Sequence, residues 1–371
     1  MFNMEPLTLT YSLADQNFNH TKSVGIFNVS TQLLENLISR RHFQRIKVLG
    51  NSTLNSKLCL PSDIDIEQHD GAVKSRLGRV HWDQWGVYAA AKRSGNEWLL
   101  LPKGFASFLR KPDFKLAVYV YDSVHEFYRV NYPNAMPWFE IEYFTRSLKS
   151  TFKYSKVIFT DSDFAKGELE RLALKFKLPS PPIITAGIGF VRNREKILVK
   201  RDFLLLLTSS WPHKFTKKAV GFIERWQKEN SYKGGVELVG TLPSSMAVPH
   251  CPGWHHSQRL SETEYRQLLT EARALLFFSG YEGFGMPPVE AMISGTCPVF
   301  SDLPVTREVM RGMGFTFSNY SYESFAKALN EALRVSAAQI RFWGEQLLEY
   351  YNWNKVVERV VKGLLRAEQR D

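Results

Sequence analysis

Two carboxylates, Glu282 and Glu290, stand eight positions apart in the run Ser279-Gly280-Tyr281-Glu282-Gly283-Phe284-Gly285-Met286-Pro287-Pro288-Val289-Glu290-Ala291-Met292. Gly283 and Gly285 flank one aromatic residue, which lets the backbone bend sharply and approach a ligand closely. Pro287 and Pro288 suit the first turn of a helix, where a missing N–H costs nothing. A helix start of this kind aims partial positive charge at whatever lies beyond the preceding strand, which suits a diphosphate and so a nucleotide. Carboxylates are poor phosphate ligands, yet they accept hydrogen bonds well from sugar hydroxyls. Each has a plainer reading: Glu290 favours the helix dipole, and Glu282 is a solvated loop residue.

Such a loop needs a strand to launch it. Apolar, β-rich runs at Leu7–Tyr11, Leu116–Tyr121, Val157–Thr160, Phe203–Thr208, Val236–Val239, Ala274–Phe278 and Cys297–Phe300 alternate with helical patterns. The alternation predicts parallel sheets built from βαβ units, with strands buried on both faces. Thr21-Lys22-Ser23-Val24-Gly25 leads into a helix carrying Ile26, Val29, Leu33, Leu34 and Leu37 on one face, and Gly25 marks its entry. Ser261-Glu262-Thr263-Glu264 reads as a capping box opening a helix to about Ala272. Leu178-Pro179-Ser180-Pro181-Pro182 breaks the pattern, and the domain boundary is placed there: residues 1–180, residues 181–345, and a C-terminal helix over 346–371 crossing back to the first domain. The helical stretches Ala338–Tyr350 and Lys355–Ala367 have no strand between them and must pack outside the sheets.

A chain of 371 residues suits two domains. The net charge of +11 favours an anionic partner, whether nucleic acid, an acidic membrane surface or a phosphorylated small molecule. Residues 1–180 carry +6 and residues 181–371 carry +5, an evenness that speaks against nucleic acid. Arg40–Lys47 is densely basic with a helical pattern, and reads either as a contact with anionic lipid or as a solvated helix end. Lys103, Arg110 and Lys111 form a local basic patch, solvated or facing an acceptor. Cys59, Cys251 and Cys297 have no disulfide or zinc-ribbon spacing, and His250, Cys251, His255 and His256 read as a loop with incidental histidines. The start lacks the features of a signal peptide and no run is long and apolar enough to span a bilayer, so a cytoplasmic protein, peripheral at most at the inner face of the membrane, is expected.

The segment 279–292 resembles the retaining glycosyltransferases of the two-Rossmann-domain type called GT-B, and within them glycosyltransferase family 4, whose hallmark is a Glu-x7-Glu motif in this setting. The resemblance continues through Gly295-Thr296-Cys297-Pro298-Val299, Ser301-Asp302-Leu303-Pro304 and Arg307-Glu308-Val309. It includes Gly240-Thr241-Leu242, Gly187-Ile188-Gly189 and Asn352-Trp353, and is traceable in Thr160–Phe164 and Tyr121-Asp122-Ser123. It implies an α/β fold of two doubly wound parallel-sheet domains with the active site in the interdomain cleft. It also implies that Glu282 holds donor-sugar hydroxyls, that Glu290 binds the nucleotide ribose, and that backbone groups of Gly283, Phe284 and Gly285 line the donor pocket. The family sets an Arg and a Lys against the donor diphosphate; here Lys214 matches the Lys, whereas Ser209 occupies the Arg position, with His213, Lys217 and Lys218 as nearby substitutes. Asp122 matches a polar residue facing the acceptor and is expected in an acceptor or catalytic role, and Gly25 is expected among the donor-binding residues, its plainer reading being a helix-entry glycine.

Transfer would then proceed on one face of the sugar through an oxocarbenium-like transition state, the departing phosphate taking the acceptor proton. Neither a protein nucleophile, a cofactor nor a metal is expected. The donor would be a UDP- or GDP-sugar, and the acceptor a glycan or lipid-linked glycan of surface polysaccharide, lipopolysaccharide or glycolipid synthesis, with no nucleic acid involved. A phosphorylase or epimerase of the same fold fits the motif less well. A non-catalytic GT-B partner or glycan-binding scaffold is the alternative that Ser209 keeps open.

Overall fold

The computed structural model describes residues 7–17, 24–40, 42–54, 57–192, 199–247, 249 and 251–369. Thirteen strands are present among them, all paired in parallel, in two sheets with helices packed around each. The chain forms two compact units, one of Met1–Arg129, Met136–Gly189 and Trp353–Asp371, the other of Val130–Ala135 and Phe190–Asn352.

The first sheet contains β1 (Leu7–Ser12), β2 (Phe43–Gly50), β3 (Asp65–Gln68), β4 (Trp98–Leu101), β5 (Lys115–Tyr119), β6 (Val157–Thr160) and β7 (Ile183–Thr185), in the order β3-β2-β1-β4-β5-β6-β7. Strands β4 and β6 are buried along their whole length, as expected of strands covered by helices on both faces. Pro181 and Pro182 lead directly into β7, which pairs with β6, so the chain stays in the first unit as far as Gly189. The helix Trp353–Glu368 also belongs to this unit, burying Val356, Val357, Val360 and Leu364. Its close approach depends on Gly363, where a Cβ would come within 2.6 Å of the Phe159 ring.

The second sheet contains β8 (Phe203–Thr208), β9 (Gly235–Gly240), β10 (Trp254–Ser257), β11 (Ala274–Phe277), β12 (Cys297–Ser301) and β13 (Phe315–Phe317), in the order β10-β9-β8-β11-β12-β13. Both sheets are doubly wound, reversing direction between β1 and β4 and between β8 and β11. The centre of the second is apolar: Leu204, Leu205, Leu206, Leu275 and Leu276 are fully buried. Phe278, Phe317 and Phe325 pack in a cluster with ring centroids 4.5–5.4 Å apart.

Two local expectations are corrected. The basic stretch from Arg40 is not a helix, because Phe43–Gly50 forms β2. Tertiary pairing overrides the helical pattern there. Arg45 donates to Asn96 Oδ1 and the Ser94 carbonyl, each at 2.7 Å, and Lys47 pairs with Glu67 at 2.9 Å and Asp65 at 3.3 Å across β2 and β3. His255 and His256 likewise lie on β10 rather than in a loop, with His256 Nε2 2.7 Å from the Gly240 carbonyl. His250 lies outside the described residues. The helix Val24–Ser39 follows its apolar periodicity, with Leu33, Leu34 and Leu37 fully buried.

Candidate nucleotide-sugar site

In an open α/β sheet, ligands collect beyond the carboxyl ends of the strands where the winding reverses. In the second unit that point lies between β8 and β11, and the two loops leaving it are the two that the sequence singles out: Ser209–Phe215 after β8 and Phe278–Gly285 after β11. The first loop is tied back on itself. Thr216 Oγ1 accepts from the Ser209 N–H at 3.0 Å and donates to the Ser209 carbonyl at 2.7 Å, while Ser209 Oγ accepts from the Trp211 N–H at 3.3 Å. A 3-10 turn over Pro212–Lys214 and a left-handed Phe215 (φ 48°) carry the chain into the helix Thr216–Glu229. Ser209 thus shapes the loop where an arginine was expected to supply charge.

The second loop rests on a buried polar scaffold. Ser301 Oγ accepts from the Ser279 N–H at 2.8 Å and lies 2.6 Å from Asn319 Oδ1, and Asn319 Nδ2 donates to the Ser279 carbonyl at 2.7 Å. The Gly280 N–H donates to the His213 carbonyl at 2.7 Å, joining the two loops. A Cβ at Gly280 would lie 3.0 Å from the Phe215 ring, a tight contact that glycine avoids. Gly285, at φ +82°, is the N-cap of the helix Met286–Ile293, and Pro287 and Pro288 occupy its first turn. Both prolines lack an N–H, so Met286 is the one residue before Val289 in that turn with a backbone donor. The helix is backed by the helix Ala337–Tyr350, whose Gly344 lies so near that a Cβ would meet the Met292 carbonyl at 2.8 Å.

Lys214 and Glu282 form an ion pair between the two loops, their side chains 22% and 15% exposed. The Lys214 ammonium also lies 4.9 Å from the centroid of the Phe277 ring. Glu290 accepts a hydrogen bond from the Tyr265 hydroxyl at 3.1 Å. Burial raises the Glu290 carboxyl above its ordinary range, and the hydroxyl partly offsets this by stabilising the anion. Tyr265 comes from the helix Glu262–Glu271, fixed by the expected capping box of Ser261 and Glu264. Burial, with Lys214 adding to it, pushes the His213 imidazole down to about 3, so it is neutral near pH 7 and supplies no positive charge. Lys217 is exposed, and Lys218 lies over the rings of Phe215 and Tyr320.

The sequence-derived residues therefore divide. Ser209, His213, Lys214, Glu282, Gly283, Gly285 and Glu290 lie on the loops and helix that leave β8 and β11. Phe284 turns its ring inward, 3% exposed and packed on Phe190 and Tyr351, so only its backbone is available to line a ligand site. Asp122 and Gly25 belong to the first unit. Asp122 Oδ1 accepts from the Val124 N–H at 3.0 Å at the start of the helix Val124–Asn131, and Gly25 sits in the first turn of the helix Val24–Ser39. Lys103, two residues beyond β4, is half-buried and its ammonium is pushed down by burial, whereas Arg110 and Lys111 are exposed. Sequence reasoning did not single out Tyr265, Thr216 or Asn319, and named Ser301 only within a resembling run without a role, because a lone hydroxyl or amide carries no signal until the partner it meets is known. Among the described residues no three His, Cys, Asp or Glu side chains are grouped to hold a metal ion.

Two Rossmann-like units, with a carboxylate-bearing glycine loop at the reversal point of the second, constitute the GT-B fold. The profile of the family described as Glycosyl transferases group 1 matches residues 253–342, which include this loop. The chain is 26% identical over 233 residues to the O-antigen chain mannosyltransferase RfbU of Salmonella typhimurium, a match covering 59% of this chain and 62% of that relative. Among solved structures it superposes on a sucrose-phosphate synthase from Thermosynechococcus elongatus with TM-score 0.67 at 12% identity, over 98% of this chain and 100% of that one. It also superposes on Anabaena HepE in complex with UDP and glucose with TM-score 0.66 at 11% identity, over 97% of this chain and 100% of that one.

Proposed function

We propose that the protein is a retaining glycosyltransferase of family 4 that moves a sugar from a nucleoside diphosphate to a glycan or lipid-linked glycan acceptor, without a metal ion, in surface polysaccharide synthesis. The observation that carries this reading is the Lys214–Glu282 pair between the loops that leave β8 and β11. The donor diphosphate takes over the Lys214 ammonium. Glu282, released from it, accepts hydrogen bonds from the donor-sugar hydroxyls, and Glu290, held by Tyr265, accepts from the ribose. As the anomeric C–O bond breaks, Lys214 and the start of the helix Met286–Ile293 stabilise charge gathering on the diphosphate. The acceptor oxygen bonds to the anomeric carbon on the face just vacated, and its proton passes to the leaving phosphate. The acceptor belongs to the first unit, with Asp122 at the end of its β5 loop. The name of the Salmonella relative puts nucleotide-linked mannose first among donors to be tried.

A panel of UDP-, GDP- and ADP-sugars tests the reading. One nucleotide class should raise the melting temperature and release nucleoside diphosphate slowly without acceptor, and Glu282→Ala should abolish release while leaving the fold intact. No thermal response to any donor would overturn it. Because Ser209 removes one expected cation, a non-catalytic sugar-nucleotide-binding scaffold is the second reading; thermal stabilisation with no release, with or without acceptor, would favour it.

A further inference from the structure

The loops of the second unit that build the donor site also hold an aromatic ledge that the proposed transfer does not use. Phe215 closes the loop after β8 in the left-handed region, at φ 48° and ψ 29°. Bulky side chains rarely adopt that conformation, and such residues cluster where a chain clamps a ligand. The Phe215 ring abuts Gly280 of the donor loop, where a Cβ would come within 3.0 Å. Tyr320 meets the same ring edge-on, with centroids 6.3 Å apart and planes at 67°, and is itself 82% exposed. Gly280, Phe215 and Tyr320 thus form a line of contacts running from the donor loop to the surface.

Tyr320 stands on a fixed mount. Its N–H donates to Ser318 Oγ at 3.3 Å, and the Ser318 N–H donates to Ser324 Oγ at 3.1 Å on the helix Tyr322–Ala332. Asn319, the residue before it, is buried and bonded to Ser279 and Ser301. A backbone held in this way loses little freedom when the ring takes a ligand. Two cations flank the ledge. The Lys218 ammonium lies 4.5 Å from the Tyr320 centroid and 5.2 Å from that of Phe215, and Lys217 is exposed beside it. The first turn of the helix Thr216–Glu229 contains both lysines and no acidic residue, the reverse of what the helix dipole favours. Neither lysine has a carboxylate in ion-pair reach among the described residues, and Glu323, three positions beyond Tyr320, is engaged by Ser321 and Arg225.

An exposed ring beside uncompensated ammonium groups suits a pyranose that carries a carboxylate. The C–H face of the sugar lies on the negative face of the ring, and the carboxylate takes charge-assisted hydrogen bonds from the lysines. A protein partner would need far more apolar area than one ring supplies, and the donor nucleotide is already accounted for by Lys214 and Glu290. We propose that Tyr320, Phe215, Lys217 and Lys218 form a second glycan site, which holds an acidic sugar unit of the acceptor or product chain outside the transfer centre. The proposal rests on the glycan reading of the neighbouring site.

Calorimetric titration of the full chain, without donor, tests it. The probes are an oligosaccharide of alternating hexuronate and N-acetylhexosamine and its carboxyl-reduced, neutral counterpart. The acidic form should bind with a Kd of about 1 mM or tighter, and the neutral form roughly tenfold more weakly. Tyr320→Ala should lower the affinity roughly fivefold or more, and K217E/K218E roughly tenfold or more. Glu282→Ala should bind the acidic form like the parent, and Tyr320→Ala should release nucleoside diphosphate from the responding donor at the parent's rate. All variants should keep the parent's circular dichroism. No binding of the acidic form, equal binding of both forms, or Tyr320→Ala binding like the parent would each overturn the proposal. Equal losses in Glu282→Ala and Tyr320→Ala would put the glycan in the transfer centre and overturn the second site. Binding with no response to any nucleotide sugar fails the transfer reading and leaves the site standing; a donor response without binding does the reverse.

Discussion

Replacing Lys214 by methionine removes the ammonium, which faces both Glu282 and the Phe277 ring, and keeps most of the aliphatic stem, so it isolates the charge. Two effects follow from where that charge sits. The ion pair with Glu282 is neither buried nor fully exposed, at 22% and 15%. Leaving the carboxylate alone there should cost about 2 kcal/mol, between the small worth of a surface pair and the 3–5 kcal/mol of breaking a buried one. The melting temperature should fall by roughly 4–8 °C for a domain of this size. The second effect is on turnover: loss of one preorganised cation facing a departing diphosphate is worth about 3 kcal/mol, or roughly a 150-fold drop in kcat. Adding Glu282→Gln separates the two, because a neutral amide no longer needs the cation. The double variant K214M/E282Q should regain most of the melting temperature and none of the turnover. Nucleoside diphosphate release under saturating donor, with thermal melts of all four proteins, reads both quantities. Lys214→Met retaining kcat within fivefold of the parent, or the double variant recovering turnover together with stability, would refute a role for Lys214 in the departure of the diphosphate.

Two further outcomes concern the loops that hold the site. The His213 imidazole is pushed from 6.5 down to about 3, so the fold favours its neutral form; that stability is fully present above pH 6.5 and is lost as pH falls towards 3, roughly 3–5 kcal/mol in full. The stability of His213→Gln should therefore fall less steeply between pH 6.5 and 4 than the parent's, and parallel melting curves against pH would contradict the burial argument. Gly285→Ala should cost about 1–2 kcal/mol from its φ of +82° alone, since the nearest atom to an added Cβ is Glu282 Cγ at 3.7 Å. Gly295→Ala has the same φ and nothing within 4 Å, so it should match in stability while leaving donor affinity untouched; equal losses of donor affinity in both would show that Gly285 does not shape the site.

How much was legible in advance varied with how local the information was. The strands Val157–Thr160 and Phe203–Thr208 are continuous apolar runs between helical patterns, and they form as β6 and β8 with the bounds expected. The capping box at Ser261 is a four-residue signal and is present. Strand β2 escaped because its Arg45 and Lys47 read as a solvated face until Asn96, Asp65 and Glu67 arrive from elsewhere in the chain. Strands β10 and β13 are short edge strands with too few apolar residues to show a period. His213 was read as a possible cation, and only its burial shows that it is neutral.

By itself the sequence determined the class of fold, through alternating strand and helix patterns that leave only parallel sheets open to the chain. It also determined the loop Phe278–Gly285 and its helix, through glycines and prolines whose backbone limits act within a few residues. The tertiary structure decided the strand order, and with it the meeting of the loops after β8 and β11. That order brings Lys214 to Glu282 across 68 positions, and the docking of the helix Glu262–Glu271 brings Tyr265 to Glu290 across 25. The physical reason is that a carboxylate's partner and its degree of burial depend on which strands and helices become neighbours, which local propensity does not encode.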